Sequence, residues 1–224
     1  MKKLVLIIFF FKLLFISEAQ LNKEVWLIDG KRMLDTNFPK YKLGFTFDAR
    51  NTFVANTKAK LGGIKLGLYI NRVHQVGIGL YAMNKPLYVS QIPDNSLVVY
   101  SVKVDFSYLS LFYERILFFD RHWEWSSTVH YGAGEINASY MPEKDTQEIS
   151  LPEIKTKPLE ISTSVLYHPT YWLSIGGGIG YRIMRKTPKQ YHSYFNGGIY
   201  LVKVKIRLFK LIRSIGNKEV KNEY

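Results

Sequence analysis

The sequence predicts an all-β protein, an eight-stranded antiparallel up-and-down transmembrane β-barrel. Three observations lead to this fold class. The chain begins with a leader typical of exported proteins; the remainder consists of segments in which apolar and polar residues alternate; and short and long connections alternate between those segments. After the leader no run of about 18 apolar residues remains, so the chain would have to cross a bilayer with strands.

Residues 1–19 are predicted to be a cleaved signal peptide. Lys2 and Lys3 precede an apolar run from residue 4 to 16, and Ser17-Glu18-Ala19 has the small-x-small pattern of a cleavage site. A retained membrane anchor is the alternative, but the run is short for a span and Lys12 interrupts it. Cleavage removes three Lys and one Glu, which lowers the formal net charge from +13 to +11.

The composition excludes several kinds of site. The chain has no Cys, so it has neither disulfides nor thiolate metal sites. No metal-ligand cluster, phosphate loop or dinucleotide fingerprint occurs, and neither a metal nor a cofactor is predicted. The excess of basic residues in an exported chain favours an anionic neighbour, such as outer-membrane lipids and lipopolysaccharide, and argues against nucleic acid.

Eight segments alternate with the period-2 pattern of β-strands. They span residues 42–50, 61–71, 75–84, 98–117, 123–135, 158–167, 172–184 and 192–209. The connections after the second, fourth and sixth segments are about four residues long. Those after the first, third, fifth and seventh are longer, roughly 10, 12, 22 and 7 residues, and the longest covers about 136–157. Short turns on one side and long loops on the other are typical of barrels whose short turns and termini are periplasmic.

The two faces of each segment differ in polarity. One face carries Leu, Ile, Val, Phe and Tyr, and the other carries Gly, Ser, Thr and charges. A soluble secreted β-protein, the alternative, would turn its apolar side inward. In the barrel the apolar side faces lipid, and aromatic residues near the short turns are predicted to form a membrane-interface girdle: Trp123, Trp125, Tyr167 and Trp172.

The fourth segment has the most aromatic face. Its apolar positions are expected to face lipid: Tyr100, Val102, Val104, Phe106 and Tyr108. Lys103 and Asp105 lie on the other face and are expected to point into the lumen, where the basic face of the last segment could pair with them.

Residues 42–209 are predicted to form the barrel. Residues 20–41 form a periplasmic N-terminal segment, or an added strand pair that raises the count to ten, since Asp29-Gly30 is a hairpin-type turn signal. Residues 210–224 form a basic periplasmic tail.

With its signal peptide, eight alternating segments and short and long connections, the chain resembles the small outer-membrane β-barrel superfamily of Gram-negative bacteria over residues 42–209. The Ser-Glu-Ala-Gln cleavage site is similar to those of exported Bacteroidetes proteins. The resemblance is architectural and identifies no subfamily. Such barrels usually end at an aromatic residue, whereas Phe209 lies 15 residues before the end of this chain.

An eight-stranded barrel has an interior just wide enough for side chains to fill. The predicted lumen charges are Asp48, Lys65, Lys103, Asp105, Glu124, Glu160, Arg182, Lys203, Lys205 and Arg207. A packed network of ion pairs is the favoured interpretation, because buried charges must be paired. A polar path for small solutes or anions is the alternative.

Enzymes that modify lipid A occur on this kind of scaffold, and two groups of residues are candidates for a catalytic site. His192 and Ser193 are adjacent, so they point to opposite faces of a strand. Glu124, Ser126 and His130 share a face with Thr128, but inside the barrel, where a lipid hardly reaches. The sequence therefore favours a non-enzymatic outer-membrane barrel that is a structural or accessory subunit of an outer-membrane protein complex. A narrow channel and a lipid A-modifying enzyme are the alternatives.

Overall fold

The computed structural model describes residues 41–54, 57–70, 73–91, 100–120, 122–141, 149–170, 172–187 and 195–207. The strands are β1 (Tyr41–Val54), β2 (Thr57–Ile70), β3 (His74–Met83), β4 (Leu87–Gln91), β5 (Tyr100–Phe119), β6 (Trp123–Tyr140), β7 (Ile149–Ser150), β8 (Ile154–Tyr167), β9 (Leu173–Arg185) and β10 (Gly197–Ile206). Within these ranges no helix is long and apolar enough to cross a membrane. The predicted signal peptide, residues 20–40 of the 20–41 segment, Phe209 and the 210–224 tail lie outside them, whereas Tyr41 begins β1.

Eight of the strands form a closed antiparallel ring in the order β1-β2-β3-β5-β6-β8-β9-β10. The ring closes because β10 pairs with β1, from Phe45 opposite Ile206 to Thr52 opposite Ile199. The predicted fold class, an eight-stranded transmembrane barrel, is confirmed. The first and last of these strands begin and end at the same side of the ring, which is also the side of the β2–β3 and β8–β9 connections.

The two short strands extend existing walls and add nothing to the ring. β4 pairs with the start of β5, whose later part pairs with β3. In the same way β7 pairs with the end of β6, whose earlier part pairs with β8. The strands β5 and β6, 20 and 18 residues long, therefore rise beyond the ring with a short strand on each flank.

Two predicted loops are largely strand. The connection of about ten residues after the first strand is wrong, because β1 continues to Val54 and β2 begins at Thr57. The predicted 136–157 loop is also wrong in extent, since β6 continues to Tyr140 and β8 begins at Ile154. At both loops the outward-facing residues become polar, so the alternation of apolar and polar residues that predicts a strand stops there. A ladder of backbone hydrogen bonds continues regardless of outward polarity when the strand leaves the lipid.

The predicted orientation of the β5 face at 102–108 is wrong. Val102, Val104, Phe106 and Tyr108 point into the barrel and are at most 4% exposed. They contact no lipid and instead belong to an apolar cluster at one end of the interior, here called the apolar cap. Its members are Leu61, Tyr81, Leu87, Val102, Val104, Phe106, Tyr108, Ile136, Ala138, Met184 and Phe195.

Lys103 and Asp105 consequently lie on the outer surface. Asp105 is exposed and Lys103 is half-buried. The expectation that these two residues face the lumen is wrong, and the physical reason is that this part of β5 stands in water. There a strand turns its apolar side inward, as in a soluble protein.

The outward face changes polarity at one level of the barrel. On β5 the exposed residue Ser107 is followed on the same face by Leu109 and Leu111, which are 50% and 66% exposed. The same change recurs on three further strands, and the residue pairs that mark this polarity boundary are Ser107/Leu109, Glu135/Ala133, Lys157/Leu159 and Arg185/Ile183. Register aligns them, since Ser107 lies opposite Glu135 and Lys157 opposite Arg185.

The apolar band below this boundary has the thickness of a membrane. From Ser107 to Phe119, a stretch whose outward face also holds the half-buried Arg115 near its lower end, the strand takes twelve steps, about 40 Å at roughly 3.3 Å per residue. A strand tilt of about 40° reduces this to about 30 Å, the thickness of a hydrocarbon core.

Aromatic residues lie at the other edge of the band. Trp123, Trp125 and Tyr167 are 44–48% exposed on the outer surface next to the short connections, and Trp172 is half-buried. The indole Nε1 of Trp125 donates a hydrogen bond to Thr163 Oγ1 at 2.7 Å. Amphipathic rings of this kind suit the interface between lipid and water.

A lysine on the outer surface should distinguish the two sides of the polarity boundary. Leu111→Lys is expected to destabilise the barrel by about 2–4 kcal/mol, because it places an ammonium near the middle of the apolar band. Ser107→Lys places the same charge above the boundary, where surface substitutions change stability by less than about 0.5 kcal/mol. Equilibrium unfolding by guanidinium in phospholipid vesicles measures both, and equal losses would contradict the boundary.

Candidate functional site

The interior below the apolar cap is filled by charged side chains. The basic residues are Arg50, Lys65, Arg182, Lys203, Lys205 and Arg207, and the acidic residues are Asp48, Glu114, Glu124 and Glu160. All except Arg207 are at most 2% exposed. Moving an ion out of water costs several kcal/mol, so each of these charges needs a close partner.

Arg50 is the centre of the group next to the cap, here called the Arg50 cluster. Its guanidinium forms ion pairs with Asp48, at 3.0 Å, and with Glu160. It also donates hydrogen bonds to the hydroxyls of Tyr81 and Tyr108 at 2.6 and 2.9 Å. Five N–H donors in a rigid plane allow one arginine to hold partners from several strands at once.

The remaining contacts of this cluster tie it to the opposite wall. Tyr108 Oη donates to Glu160 Oε1 at 2.7 Å, and the Nε of Arg182 pairs with the same carboxylate. Glu160 thus lies between Arg50 and Arg182, which joins β1 to β8 and β9 across the lumen.

Glu114 is the centre of a second group, the Glu114 cluster, nearer the short connections. Its carboxylate accepts hydrogen bonds from Lys205 at 2.8 Å and from Lys65 at 3.1 Å, and Lys203 lies 3.8 Å away. Thr128 Oγ1 also donates to it, at 3.2 Å. One carboxylate thereby lies within 4 Å of three ammonium groups from β2 and β10.

Glu124 continues the same chain of contacts. Lys205 bridges Glu114 and Glu124, with its Nζ 2.5 Å from Glu124 Oε1, and Arg207 donates to the other oxygen of Glu124 at 3.1 Å. The charges therefore form one path of direct contacts along this wall of the lumen.

Glycines make room for the tyrosines of the Arg50 cluster. A Cβ on Gly63 would lie 2.1 Å from the Tyr81 ring, and a Cβ on Gly134 would lie 2.3 Å from Cβ of Tyr108. Both distances are far below van der Waals contact. The Gly-rich inner faces of the strands are thus a packing requirement of the charged network, since the phenol rings cross the narrow lumen over them.

Comparison with known proteins gives the class of the fold. No protein-family model matches the chain, and no curated protein matches it. A solved structure of a major outer membrane protein from Thermus thermophilus is similar with a TM-score of 0.51 and 10% identity, over 74% of this chain and 98% of that chain. The chain has the fold of an outer-membrane β-barrel.

Two further outer-membrane barrels are similar at lower scores. Ail, the attachment invasion locus protein of Yersinia pestis, has a TM-score of 0.43 and 12% identity, over 74% of this chain and 96% of its own. Neisserial surface protein A has a TM-score of 0.41 and 13% identity, over 75% of this chain and 97% of its own.

The structure places most of the charges named from the sequence inside the barrel and brings them together. Those inside are Asp48, Lys65, Glu124, Glu160, Arg182, Lys203, Lys205 and Arg207. Lys103 and Asp105 are the two that lie outside. The expected pairing of these two with the last strand is wrong, because the wall of β5 separates them from it.

Sequence reasoning missed the two central residues. Arg50 lies two residues after Asp48 and therefore on the same inner face of the first strand, so the alternation of that strand could have predicted it. Glu114 shares the even-numbered inner face of β5 with Tyr108, a face that the apolar pattern assigns to lipid. The wrong orientation of one half of β5 therefore concealed the carboxylate in the other half.

Among the described residues, one histidine and serine pair resembles part of a catalytic site but lacks the proton arrangement that catalysis needs. His168 Nδ1 lies 2.7 Å from Ser174 Oγ, and its Nε2 lies 3.9 Å from Glu124, which resembles a serine–histidine–acid set. However, Arg207 donates to that Nε2 at 3.2 Å, so the proton is on Nδ1 and the imidazole donates to the serine. A histidine in this state cannot accept the hydroxyl proton. Ser174 is also completely buried.

The catalytic group that the sequence suggests is separated in the same way. His130 Nε2 accepts from Arg50 at 2.9 Å, and its Nδ1 lies 3.4 Å from Ser110 Oγ. Ser126 instead contacts Ser164, at 3.2 Å between hydroxyl oxygens. The other pair, His192 and Ser193, lies outside the described residues.

Removing the Glu114 carboxylate should destabilise the barrel strongly. Glu114→Gln leaves the ammonium groups of Lys65, Lys203 and Lys205 close together without their shared counter-charge, and a loss of about 3–5 kcal/mol is expected. Guanidinium unfolding in phospholipid vesicles measures it. Glu135→Gln, on the exposed outer surface, is the matched control and should change stability by less than about 0.5 kcal/mol.

The double variant Glu114→Gln/Lys65→Met adds a second check on the same cluster. It removes one of the unpaired ammonium groups and should recover part of the loss, since the cost comes from uncompensated charge. A double variant that loses stability additively would contradict an electrostatic origin.

Proposed function

We propose that the chain is a non-enzymatic barrel of the outer membrane of a Gram-negative bacterium, and that it acts as a structural or accessory subunit of an outer-membrane protein complex. One observation carries the proposal: three groups of buried side chains, each held together by direct contacts, occupy successive levels of the lumen. The apolar cap, the Arg50 cluster and the Glu114 cluster follow one another along the barrel axis.

The filled lumen disfavours a channel. A path for anions needs charged groups that line water and offer several weak sites in series. Here Lys205 and Arg50 are instead engaged by carboxylates and hydroxyls at hydrogen-bond distance, and apolar residues such as Phe106 and Ile136, both 0% exposed, close one end.

The wall above the polarity boundary supports a role in association. The strands β4, β5, β6 and β7 form a sheet there, and its outer face carries exposed polar residues that include Ser101, Asp105 and Asn137. A sheet that stands above the lipid, with its apolar side internally covered, is suited to contact a partner protein and needs no opening of the barrel.

The orientation in the membrane follows from the same features. The described ends of the ring, Tyr41 and Ile206, lie at the side of the short connections. In outer-membrane barrels this side faces the periplasm. Both termini are therefore proposed to be periplasmic, and the apolar cap is proposed to face the outside of the cell.

Conductance separates the sealed barrel from the channel. Purified wild-type protein in planar bilayers should give no single-channel current above the lipid baseline, because no continuous water path crosses the packed charges. A reproducible current that Lys203→Glu alters and Lys103→Glu does not would overturn the proposal and establish the conduit instead. Lys103 is the matched control because it lies outside the lumen.

Photo-crosslinking in native outer membranes tests the accessory role. A photoreactive amino acid at Asp105 or Asn137, above the boundary, is expected to capture a single protein in near-stoichiometric yield. The same residue at Leu111, which faces lipid, should capture none. Capture of lipid alone at all three positions would contradict membership of a complex without affecting the sealed lumen.

A further inference from the structure

Three basic residues meet on the outer surface at the polarity boundary. Lys157 of β8 and Arg185 of β9 are direct cross-strand partners, and Lys186 follows Arg185 with a φ of 59° where the chain leaves β9. Arg185 and Lys186 are exposed and Lys157 is half-buried. Like charges directly opposite one another on a sheet repel, so this basic cluster costs stability in the isolated chain.

Within the described part of the chain, none of the three cations forms an ion pair. The charges of the lumen are joined by salt bridges, but none of these involves Lys157, Arg185 or Lys186. The acid nearest in register, Glu135, lies opposite Lys155. Glu135 faces Lys155, so the excess positive charge of Lys157, Arg185 and Lys186, unpaired among the described residues, points to an anion supplied from outside.

An elongated groove reaches the cluster along the outer surface. It has a volume of about 1100 Å³, and its lining includes Lys155, Lys157 and Lys186. The rest of the lining follows a row of cross-strand partners over several strands. One row of the lining consists of small cross-strand partners: Ala49, Gly62, Ala82 and Ser107. The next outward-facing row, nearer the short connections, consists of large apolar residues: Phe47, Ile64, Leu80 and Leu109.

The position of the cluster relative to the apolar band identifies the occupant. Leu159 and Ile183 are partners of one another directly below Lys157 and Arg185, so the cations lie at the edge of the hydrocarbon, where lipid headgroups carry their phosphates. Arginine binds phosphate with two parallel hydrogen bonds, and lysine binds it as a point charge. A mainly apolar groove that carries Lys155, Lys157 and Lys186 beside Glu135 at one end has a net positive charge there, and it complements a molecule with a phosphorylated head and acyl chains.

We propose that Lys157, Arg185 and Lys186 bind a phosphate of an outer-leaflet lipid, and that its acyl chains lie along the groove between the small and the large outward residues. The choice of leaflet rests on the membrane orientation proposed above. The site makes the barrel a specific lipid-binding protein in addition to a sealed subunit.

Native mass spectrometry of the full folded chain, titrated with bis-phosphorylated lipid A in detergent, tests the headgroup site. Lys157→Gln/Lys186→Gln is expected to weaken binding at least about tenfold, since each cation near a lipid surface contributes on the order of a fivefold change. Lys60→Gln/Lys85→Gln removes the same charge from two exposed lysines outside the groove and should leave binding unchanged. Equal weakening by both double variants would overturn the site.

Two further arms distinguish the lipid from other anions. Lipid A without phosphates should bind at least about tenfold more weakly than the phosphorylated form, and inorganic phosphate at equal concentration should not displace it. Ala82→Phe, which fills the groove away from the cations, should weaken lipid binding while Ser101→Phe, above the groove, should not. Tight binding of dephosphorylated lipid A, displacement by inorganic phosphate, or no effect of Ala82→Phe would each overturn the proposal.

The failure of this proposal is distinguishable from failure of the proposed function. A barrel that gives no current and crosslinks to a protein partner, yet binds lipid A without phosphate dependence, loses the lipid site alone. A barrel that conducts loses the sealed lumen, whatever its lipid binding. Capture of an acidic protein at Lys186 by a photoreactive residue, with no lipid retained, would assign the basic cluster to a protein interface and overturn the lipid site.

Discussion

Pairing of buried charge inside a narrow closed ring is the constraint on which the rest of the structure depends. Eight strands enclose a lumen that side chains must fill, and this chain fills it with ions that carry several kcal/mol of desolvation cost each. Glu160 between Arg50 and Arg182, and Glu114 among three lysines, offset that cost. The glycines opposite the tyrosines, the engaged histidines and the absence of an open path among the described residues all follow from this packing.

The same chain forms two kinds of barrel in series. Below the polarity boundary the outside is apolar and the inside is ionic, as lipid requires. Above it, Phe106 and Ile136 pack inside while Asp105 and Asn137 face outward, as in a soluble β-barrel. Backbone pairing is continuous through the boundary, since β5 and β6 remain in register from Val102 to Ile116. The backbone hydrogen bonds are the same on both sides of the boundary, and only the polarity of the side chains changes where the membrane ends.

This separation explains what the sequence could predict. Period-2 alternation depends on backbone geometry alone, so it correctly predicts eight strands and a ring, and it places Lys65, Arg182 and Lys205 on inner faces. Which face is inner depends on the surrounding solvent, which alternation does not report. The apolar face of 100–108 is therefore assigned to lipid by analogy with the lower parts of the strands. Glu114 is lost through the same assignment, and the extensions of β1, β6 and β8 are lost because polar outward residues resemble loops.

The boundary nevertheless leaves a mark in the sequence. Along β5 the outward-facing odd positions are polar through Ser107 and apolar at Leu109, Leu111 and Tyr113, and no bulge lies between Tyr108 and Leu109. The pairing register is unbroken there, so the same face of the strand points outward on both sides of the boundary, and only the polarity of that face changes. A bulge would change both the register and the outward face. The adjacent apolar residues Tyr108 and Leu109, which end the alternation that begins at residue 100, therefore mark a change of solvent, and on β8 and β9 that same level carries the facing cations Lys157 and Arg185. These charges of one sign lie together at one edge of the apolar band, a height at which lipid phosphates can compensate them.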